Sequence, residues 1–214
     1  MTEFITEALQ KRELGLALHY PLIHSAVVGL GAKRTLEIGA GGSTRVFLEA
    51  LGKDGEHWSI STESREDIMA RHGIPNDPRW KHTMTPDSSN MMNTQSWLDF
   101  QKGQQETFDI VLHDGSHAAN VVATDIAHHW PVLKVYGLLF VHDTQHSYCG
   151  EEMRVGLRTG LTRAAAGRGF DYSMTTLPYG FGLTIIRKEC GLGQRVEPIV
   201  PKAGGVHTTI PVSV

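Results

Sequence analysis

The sequence predicts a doubly wound α/β domain built on a mainly parallel sheet. Apolar segments of strand length alternate with segments of helical periodicity along most of the chain, and this alternation is typical of a parallel sheet flanked by helices. A glycine-rich loop follows the first predicted strand. The last two predicted strands are joined by a turn-rich loop instead of a helix, so we expect the sheet to end in an antiparallel hairpin.

The first half of the chain contains two predicted helices and three predicted strands. Residues 14–30 have apolar side chains at helical spacing, and the helix is expected to end at the glycines that close it. Residues 34–38 form a short apolar strand that leads into the glycine loop, and residues 43–51 return to helical periodicity. Residues 56–62 and 80–85 have the content of strands, the second more weakly.

The second half continues the same alternation. A helix is expected at 94–102, the clearest buried strand at 108–112, a helix at 118–133, a strand at 137–141 and a helix at 151–168. Pro131 is expected to kink or shorten its helix, because proline lacks the amide hydrogen and clashes with the preceding turn. Strands at 172–177 and 183–187 then flank the loop of the hairpin.

The chain divides into a helical segment at 1–31, a main domain at 32–189 and a tail at 190–214. The tail is rich in Gly, Pro and Val and has no useful period, so we expect it to lie on the domain. An oligomer arm or a lid over the site are the alternatives. The tail and the N-terminal helix are the segments that could form the contact of an expected homodimer.

Composition excludes several classes of partner. The net charge is −3 and no Lys/Arg run is present, so no nucleic-acid partner is expected. No apolar stretch approaches the roughly 20 residues that span a bilayer, and residues 1–10 have no apolar core of a signal peptide. Cys149 and Cys190 form no closely spaced metal or redox pair. We therefore expect a cytoplasmic protein.

The glycine loop Gly39-Ala40-Gly41-Gly42 is the strongest local signal. It lies between a predicted strand and helix, where glycines let a ligand approach main-chain N–H groups. A P-loop has Lys and then Ser or Thr after its last glycine, whereas Ser43-Thr44-Arg45 follows here. The dinucleotide fingerprint requires Gly or Ala where this chain has Thr44. Neither phosphate motif is complete.

An acidic residue, Glu37, precedes the loop by two positions. Its carboxylate would repel a pyrophosphate but suits a ligand that carries an ammonium group. S-adenosylmethionine has an ammonium group, a sulfonium and no phosphate. Glu63 lies 63 − 39 = 24 positions after the first glycine, where a carboxylate can accept both ribose hydroxyls. NAD-binding proteins also have an acidic residue at the position of Glu63. Glu37 is therefore the residue that favours S-adenosylmethionine over NAD.

A second group of polar residues follows two other apolar strands. Asp114 and His117 come after residues 108–112, and His142-Asp143 comes after residues 137–141. Open α/β sheets bind ligands at this edge, so these groups should face the same crevice as the glycine loop. The carboxylates could bind a divalent cation, or one histidine could remove a proton from a substrate hydroxyl. As the alternative, both aspartates could cap helices.

These residues resemble the class I S-adenosylmethionine-dependent methyltransferase family. The resemblance runs from about residue 35 to 188 and rests on Glu37-Ile38-Gly39-Ala40-Gly41 and on the strand that leads to Asp114. Asp114-Gly115-Ser116-His117 and His142-Asp143 are similar to a small-molecule O-methyltransferase branch, which includes catechol- and sugar-type enzymes. Some of these hold Mg²⁺ by strand-end carboxylates.

The resemblance implies a Rossmann-like, mostly parallel seven-stranded sheet with helices on both faces and a C-terminal antiparallel hairpin. It also implies the cofactor-binding residues. Glu37, Gly39 and Gly41 would lie along the methionine end, Glu63 would take the ribose, and Asp87 and Ser88 would pass near the adenine. Ala40, Ser43 and Asp114 complete the set expected at the cofactor.

Asp114, Asp143 and His142 are the expected metal ligands, and His117 or His142 is the expected general base. In metal-binding relatives, two adjacent acidic or amide residues follow the fifth strand, where this chain has His142-Asp143. Mg²⁺ prefers oxygen. Without a metal, His117 or His142 becomes the stronger candidate for the base.

The expected function is methyl transfer from S-adenosylmethionine to the hydroxyl of a small-molecule acceptor, with Mg²⁺ as a candidate assistant. An NAD-dependent oxidoreductase is the first alternative, and Glu37 and Thr44 count against it. A non-catalytic S-adenosylmethionine-binding domain is the second. An oxygenase-like enzyme that holds iron with a His/Asp set is the third.

Overall fold

The computed structural model describes residues 2–10, 15–85, 107–165 and 171–190. Seven strands in these ranges form one sheet in the order β3-β2-β1-β4-β5-β7-β6. They are β1 (Arg34–Ile38), β2 (Glu56–Ser61), β3 (Trp80–Met84), β4 (Phe108–His113), β5 (Leu133–His142), β6 (Asp171–Leu177) and β7 (Leu183–Glu189).

The pairing directions confirm the predicted sheet. Strands β1 to β5 run parallel to one another, whereas β7 is antiparallel to both β5 and β6. At the end of β1, Ile38 pairs with Ile60 of β2 and with His113 of β4. At the end of β5, His142 pairs with Leu183. The carboxyl ends of the five parallel strands therefore meet at one edge, and the loops that follow them leave the sheet there.

Six α-helices belong to the described ranges: α1 (Glu3–Gln10), α2 (Tyr20–Gly29), α3 (Gly42–Ala50), α4 (Arg65–His72), α5 (Ala119–His129) and α6 (Gly150–Ala165). The first three pack against one face of the sheet, around Ile110, Leu112 and Phe140. Helices α5 and α6 pack against the other face, around Val111, Leu139 and Val141. Both faces are covered, as predicted, so the central strands are apolar on both sides. None of these helices is long and apolar enough to cross a membrane.

Two glycines allow α5 and α6 to pack unusually close together. A Cβ atom at Gly156 would lie 2.6 Å from Val122 Cβ, and one at Gly160 would lie 2.6 Å from Ile126 Cβ. Any larger side chain at either position would push the helices apart, because packed interiors leave no space for an added carbon. The pair of helices α5 and α6 packs against β4 and β5 on one face of the sheet.

The structure corrects the predicted helix at 14–30. Residues Gly15–His19 form a 3₁₀ turn, and the α-helix begins only at Tyr20. Pro21 lies in the first turn of α2, where its missing N–H costs nothing, whereas inside a longer helix it would clash with the preceding turn. Helix α1 forms a separate element in the segment that the sequence marked only as helical.

The helix predicted at 118–133 ends earlier, as Pro131 suggested. The α-helical part stops at His129, Trp130–Val132 form a 3₁₀ turn, and Leu133 already belongs to β5. Strand β5 is thus longer than the predicted 137–141. Its extra residues were hard to recognise because Tyr136 has a positive φ of 66° and the pairing with β4 shifts register near Phe108.

Helix α4 was not predicted, although its end signals are present. Ser64 accepts a hydrogen bond from the Asp67 amide at the helix start, and Gly73 closes the helix in the left-handed conformation. Ser three residues before an acidic residue, followed later by Gly, is a usual helix signature. The helix predicted at 94–102 and the tail from residue 191 lie outside the described residues, and α6 is described as far as Ala165.

Candidate active site

The glycine loop after β1 is tied to the loops after β2 and β4. The Gly39 amide donates to the Ile60 carbonyl at 2.9 Å, and the Asp114 amide donates to the Ile38 carbonyl at 2.8 Å. Gly39 has a φ of +87°, and a Cβ atom there would lie 2.0 Å from the Asp114 carbonyl oxygen. Only glycine fits this position, so the loop can turn against Asp114 at the strand ends.

Glu37 lies behind the loop and holds it from within. Its side chain is fully buried and accepts hydrogen bonds from the hydroxyls of Ser43 and Thr44 and from Nε2 of His57. The Thr44 hydroxyl also accepts from the Gly41 amide at 3.2 Å. The carboxylate therefore fixes the start of α3. It does not line the cavity, so the structure places it away from the direct ligand contact expected from the sequence.

A cavity of about 720 Å³ opens in front of the loop. Its walls include six of the residues predicted at the cofactor: Gly39, Ala40, Gly41, Ser43, Glu63 and Asp114. The structure thus brings together residues from the ends of three strands. Asp87 and Ser88, predicted near an adenine, lie outside the described residues.

Arg71 of α4 forms an ion pair with Glu63. Its Nη1 lies 2.8 Å from Glu63 Oε1, and its Nη2 lies 2.8 Å from Glu63 Oε2. The Glu63 side chain is 36% exposed and lines the cavity, although its Oε2 atom is buried. Tyr20, from the start of α2, also lines the cavity. Its hydroxyl lies 2.3 Å from where a Cβ atom of Gly42 would stand. The predicted helix at 14–30 places Tyr20 inside a helix, whereas in the structure Tyr20 is the first residue of α2 and reaches the loop.

A second cavity, of about 420 Å³, continues from the first. The two share Leu16 and Asp114 as wall residues. A chain of hydrogen bonds crosses the second cavity. His142 Nδ1 lies 2.9 Å from Asp114 Oδ1 and 3.3 Å from Asp143 Oδ2, and His117 Nε2 lies 2.9 Å from the same Asp143 oxygen. The sequence-predicted polar group therefore forms one cluster.

Both ring nitrogens of His142 are engaged as donors. Nδ1 faces the two carboxylates, and Nε2 donates to the Gly180 carbonyl at 2.9 Å. Burial alone would lower the pKa of His142, but its hydrogen bonds and attraction to Asp114 and Asp143 raise that pKa to about 10. At neutral pH this ring is an imidazolium with no free lone pair. The arrangement argues against the role of general base considered for His142.

The two carboxylates differ in environment. Burial raises the pKa of Asp114, and the neighbouring His142 only partly opposes that change. Burial also acts to raise the pKa of Asp143, but hydrogen bonds and charges from His142 and His117 outweigh it and lower the pKa. The Asp143 backbone has a φ of 60°, a conformation that Asp tolerates better than most residues. Asp143 is thus the firmly ionised member and links the two histidines.

The expected Mg²⁺ ligands lie close to one another but do not suit that ion. Asp114, His142 and Asp143 each present one candidate atom within 4.8 Å of the others. Mg²⁺ requires oxygen ligands in near-octahedral geometry, whereas the central atom here is a ring nitrogen whose N–H points at the two carboxylates. The imidazolium of His142 lies between the carboxylates of Asp114 and Asp143, where the Mg²⁺ ion would have to bind. This geometry argues against a Mg²⁺ site built from these three residues.

Several residues of the second cavity were not recognised from the sequence. Its wall also includes Cys149, which directly precedes α6, and Tyr148 and Phe181. His146 also lines this cavity and packs edge-on against the Phe181 ring, with 4.5 Å between the ring centroids. Residues 143–151 carry no periodic signal, so only the folded loop reveals which of them face the cavity.

Solved structures with the same architecture include three methyltransferases. The O-methyltransferase TomG from Streptomyces achromogenes, involved in tomaymycin synthesis and solved with SAM, is 17% identical with a TM-score of 0.58, covering 88% of this chain and 91% of that chain. An O-methyltransferase from Bacillus cereus, in complex with SAH, is 14% identical with a TM-score of 0.60, covering 87% and 90%.

MycE, from the mycinamycin biosynthetic pathway, was solved with Mg, SAH and mycinamycin VI. It is 16% identical with a TM-score of 0.56, covering 88% of this chain and 52% of that chain. At these identities the similarity shows a shared fold. Comparison with curated proteins gives no significant match.

The sequence model of a family described as a methyltransferase domain matches residues 36–144, just over half of the chain. The matched segment begins in β1 and ends directly after Asp143. It therefore contains the glycine loop, Glu63, Asp114 and the strand-end histidines. On the fold, the cavities and this match, the chain belongs to the methyltransferase domain family and is a methyltransferase.

Proposed function

We propose that this enzyme takes a methyl group from S-adenosylmethionine and transfers it to a hydroxyl oxygen of a small molecule. One observation carries the proposal: the cavity at the glycine loop and the cavity at the histidines share Leu16 and Asp114 as wall residues. A donor in the first cavity would thus meet an acceptor in the second beside Asp114. Holding two reactants in line is the main requirement of a direct displacement.

The first cavity suits a cofactor that combines a ribose with an amino acid. Glu63 contributes its side chain to the cavity wall just after β2, where ribose hydroxyls can donate to the carboxylate. Gly39, Ala40 and Gly41 bring main-chain groups to the wall. We assign Glu37 an indirect role: it sets the loop through Ser43 and Thr44, and its buried charge favours an ammonium group in front of the loop.

His117 is the residue that this geometry favours as proton acceptor. Its side chain is about half exposed at the second cavity. When Nε2 donates to Asp143, Nδ1 keeps a lone pair and can take the proton of the acceptor hydroxyl. S-adenosylmethionine, when bound, would supply the electrophilic methyl carbon, with the thioether S-adenosylhomocysteine as the leaving group. His142 would hold Asp114 and Asp143 in place without exchanging its own proton.

The alternatives from the sequence are less well supported. An NAD-dependent oxidoreductase would place a pyrophosphate on the loop, in front of the buried Glu37 and beside Thr44 in place of a small residue. A domain that only binds S-adenosylmethionine would not need the polar cluster of His117, Asp143 and His142 in the second cavity. The expected homodimer and the small-molecule class of the acceptor stay predictions.

Calorimetric titration with S-adenosylhomocysteine tests the cofactor, with NAD as the comparison ligand. We expect micromolar binding of S-adenosylhomocysteine and none of NAD. Glu63→Ala should weaken binding by roughly 10- to 100-fold, because a hydrogen bond to a charged group is worth about 1.5–3 kcal/mol. Glu66→Ala, an exposed neighbour on α4, is the matched control and should bind like the parent. Binding of NAD in place of S-adenosylhomocysteine would overturn the proposal.

A further inference from the structure

We propose that His117, Asp143 and Cys149 form a site for a divalent transition metal of borderline softness, of which zinc is the type case. One candidate ligand atom from each residue lies within 4.8 Å of the other two. The three residues come from two loops at the same sheet edge: His117 lies in the loop after β4, and Asp143 and Cys149 are the first and last residues of the loop between β5 and α6. Whether the metal site exists does not depend on the proposed function. A catalytic role for the metal does rest on the proposed function.

The donor atoms select the class of metal. An imidazole nitrogen, a carboxylate oxygen and a thiolate sulfur are ligands that zinc and similar ions accept together. Mg²⁺ and Ca²⁺ prefer oxygen throughout, so Cys149 distinguishes this site from the set around His142. Binding would displace the thiol proton to solvent as the metal–sulfur bond forms.

The distances require only a local adjustment. In a tetrahedral zinc site, ligand atoms lie about 3.3–3.5 Å apart, as follows from bond lengths of about 2.0 Å to N or O and 2.3 Å to S. His117 Nε2 and Asp143 Oδ2 are now 2.9 Å apart and hydrogen bonded. An ion between them would replace that hydrogen bond. The His117 side chain is 48% exposed, so its ring can move by the small amount needed.

The fourth position of such a site would face the acceptor. All three residues line the second cavity, together with Asp114. Three protein ligands with one open position are typical of catalytic rather than structural zinc. An acceptor hydroxyl bound there would lose its proton to solvent at a lower pH, since the metal stabilises the oxyanion. In the metal-loaded enzyme this effect replaces proton removal by His117, whose Nε2 is then a ligand.

The other reading of Cys149 is a cysteine that only packs. It does lie against the core cluster beneath α6, and a free cysteine often behaves as a small apolar side chain. Packing does not account for its placement beside His117 and Asp143 in the cavity wall. The two readings differ in what a cobalt spectrum would show.

The test uses full-length protein freed of metal with EDTA and then titrated with Co²⁺. We expect one equivalent to bind and to give the near-ultraviolet charge-transfer band of a thiolate–cobalt bond. Zn²⁺ should displace it. Cys149→Ser should lose the band and bind Zn²⁺ at least about tenfold more weakly. Cys190→Ser is the matched control and should keep both properties, because Cys190 follows Glu189 at the opposite edge of the sheet.

A thiolate band that survives in Cys149→Ser, or equal affinity for Zn²⁺ in both serine variants, would overturn the proposal. Failure of the parent protein to bind stoichiometric Co²⁺ would do the same. Titration of the same samples with S-adenosylhomocysteine separates this result from the proposed function. If the protein binds the metal but not S-adenosylhomocysteine, the metal site stands and the proposed methyl donor is wrong. If it binds S-adenosylhomocysteine but not the metal, only the metal site is wrong.

Discussion

Gly39 and Asp114 are in contact across two strand ends, so close that a Cβ atom on Gly39 would lie 2.0 Å from the Asp114 carbonyl oxygen. This contact joins the loop after β1 to the loop after β4. Asp114 in turn lines both cavities. If the methyl donor and the acceptor bind as we propose, this glycine also helps to set the distance between them.

Substitution of Gly39 by Ala should damage both the loop and its ligand binding. The residue has a φ of +87°, where alanine is strained, and the added carbon meets backbone that cannot rotate away. We expect a loss of more than about 1 kcal/mol in the free energy of unfolding. Binding of S-adenosylhomocysteine, followed by calorimetry, should weaken at least about tenfold. Gly29→Ala is the control, because no atom lies within 4 Å of a Cβ there.

The buried His142 should make stability depend on pH in a defined window. Its pKa is raised from 6.5 to about 10 by Asp114 and Asp143, against the effect of burial. A raised histidine pKa stabilises the fold fully below pH 6.5. That stabilisation is lost as the pH rises toward 10, at up to about 1.4 kcal/mol per pH unit. Urea unfolding in EDTA, from pH 6 to 9.5, measures the slope.

His142→Asn supplies the comparison for that slope. The variant should be less stable by about 3 kcal/mol at pH 6, because the carboxylates of Asp114 and Asp143 lose their charged partner. The difference from the parent should shrink as the pH rises above 6.5. Two stability curves that stay parallel over this range would show that His142 does not carry the raised pKa.

Glu37→Gln tests the carboxylate behind the loop. A glutamine amide would face the Ser43 or Thr44 hydroxyls, which now donate to the carboxylate, and at least one buried group would lose its partner. We expect a loss of about 1–3 kcal/mol in unfolding free energy, measured with urea. Glu56→Gln changes the same residue type where the side chain is 42% exposed, and should change stability by less than about 1 kcal/mol. Equal losses in the two variants would contradict the structural role of Glu37.

Lys188 is a buried cation remote from the cavities. Its Nζ donates to the carbonyls of Trp130 and Leu133, and so ties β7 to the start of β5. Lys188→Met should cost about 1–3 kcal/mol of stability, because buried carbonyls lose a donor. It should leave the affinity for S-adenosylhomocysteine unchanged. Lys134→Met, at a residue 40% exposed, should have a smaller effect on thermal unfolding, and the opposite ranking would contradict this account.

The approximate positions of the described strands and the C-terminal hairpin could be predicted from the sequence because both depend on local signals. An apolar run of strand length and the polar residue after it, as at Phe108 to Asp114, fix where a strand ends. The hairpin was evident from the loop between its strands. The start of β5 was not predicted. Tyr136 in this strand has a positive φ, and residue propensities do not predict such a local change of backbone conformation.

The partners of the site residues could not be predicted in the same way. Glu37 was predicted to face a ligand, whereas its hydrogen bonds in the structure are to His57 of the neighbouring strand and to Thr44 at the start of α3. The charge state of His142 depends on two aspartates and on the Gly180 carbonyl, which is far along the chain. Cys149 has no local pattern at all. Contacts of this kind arise only when distant loops meet at one edge.

A crystal structure of the protein with S-adenosylhomocysteine tests the central claim most directly. Our account predicts the ribose hydroxyls within hydrogen-bond distance of Glu63 and the sulfur beside Gly39 and Asp114, facing the cavity of His117 and Asp143. A ligand bound elsewhere on the protein, or bound with its ribose away from Glu63, would contradict the account of donor and acceptor meeting at Asp114.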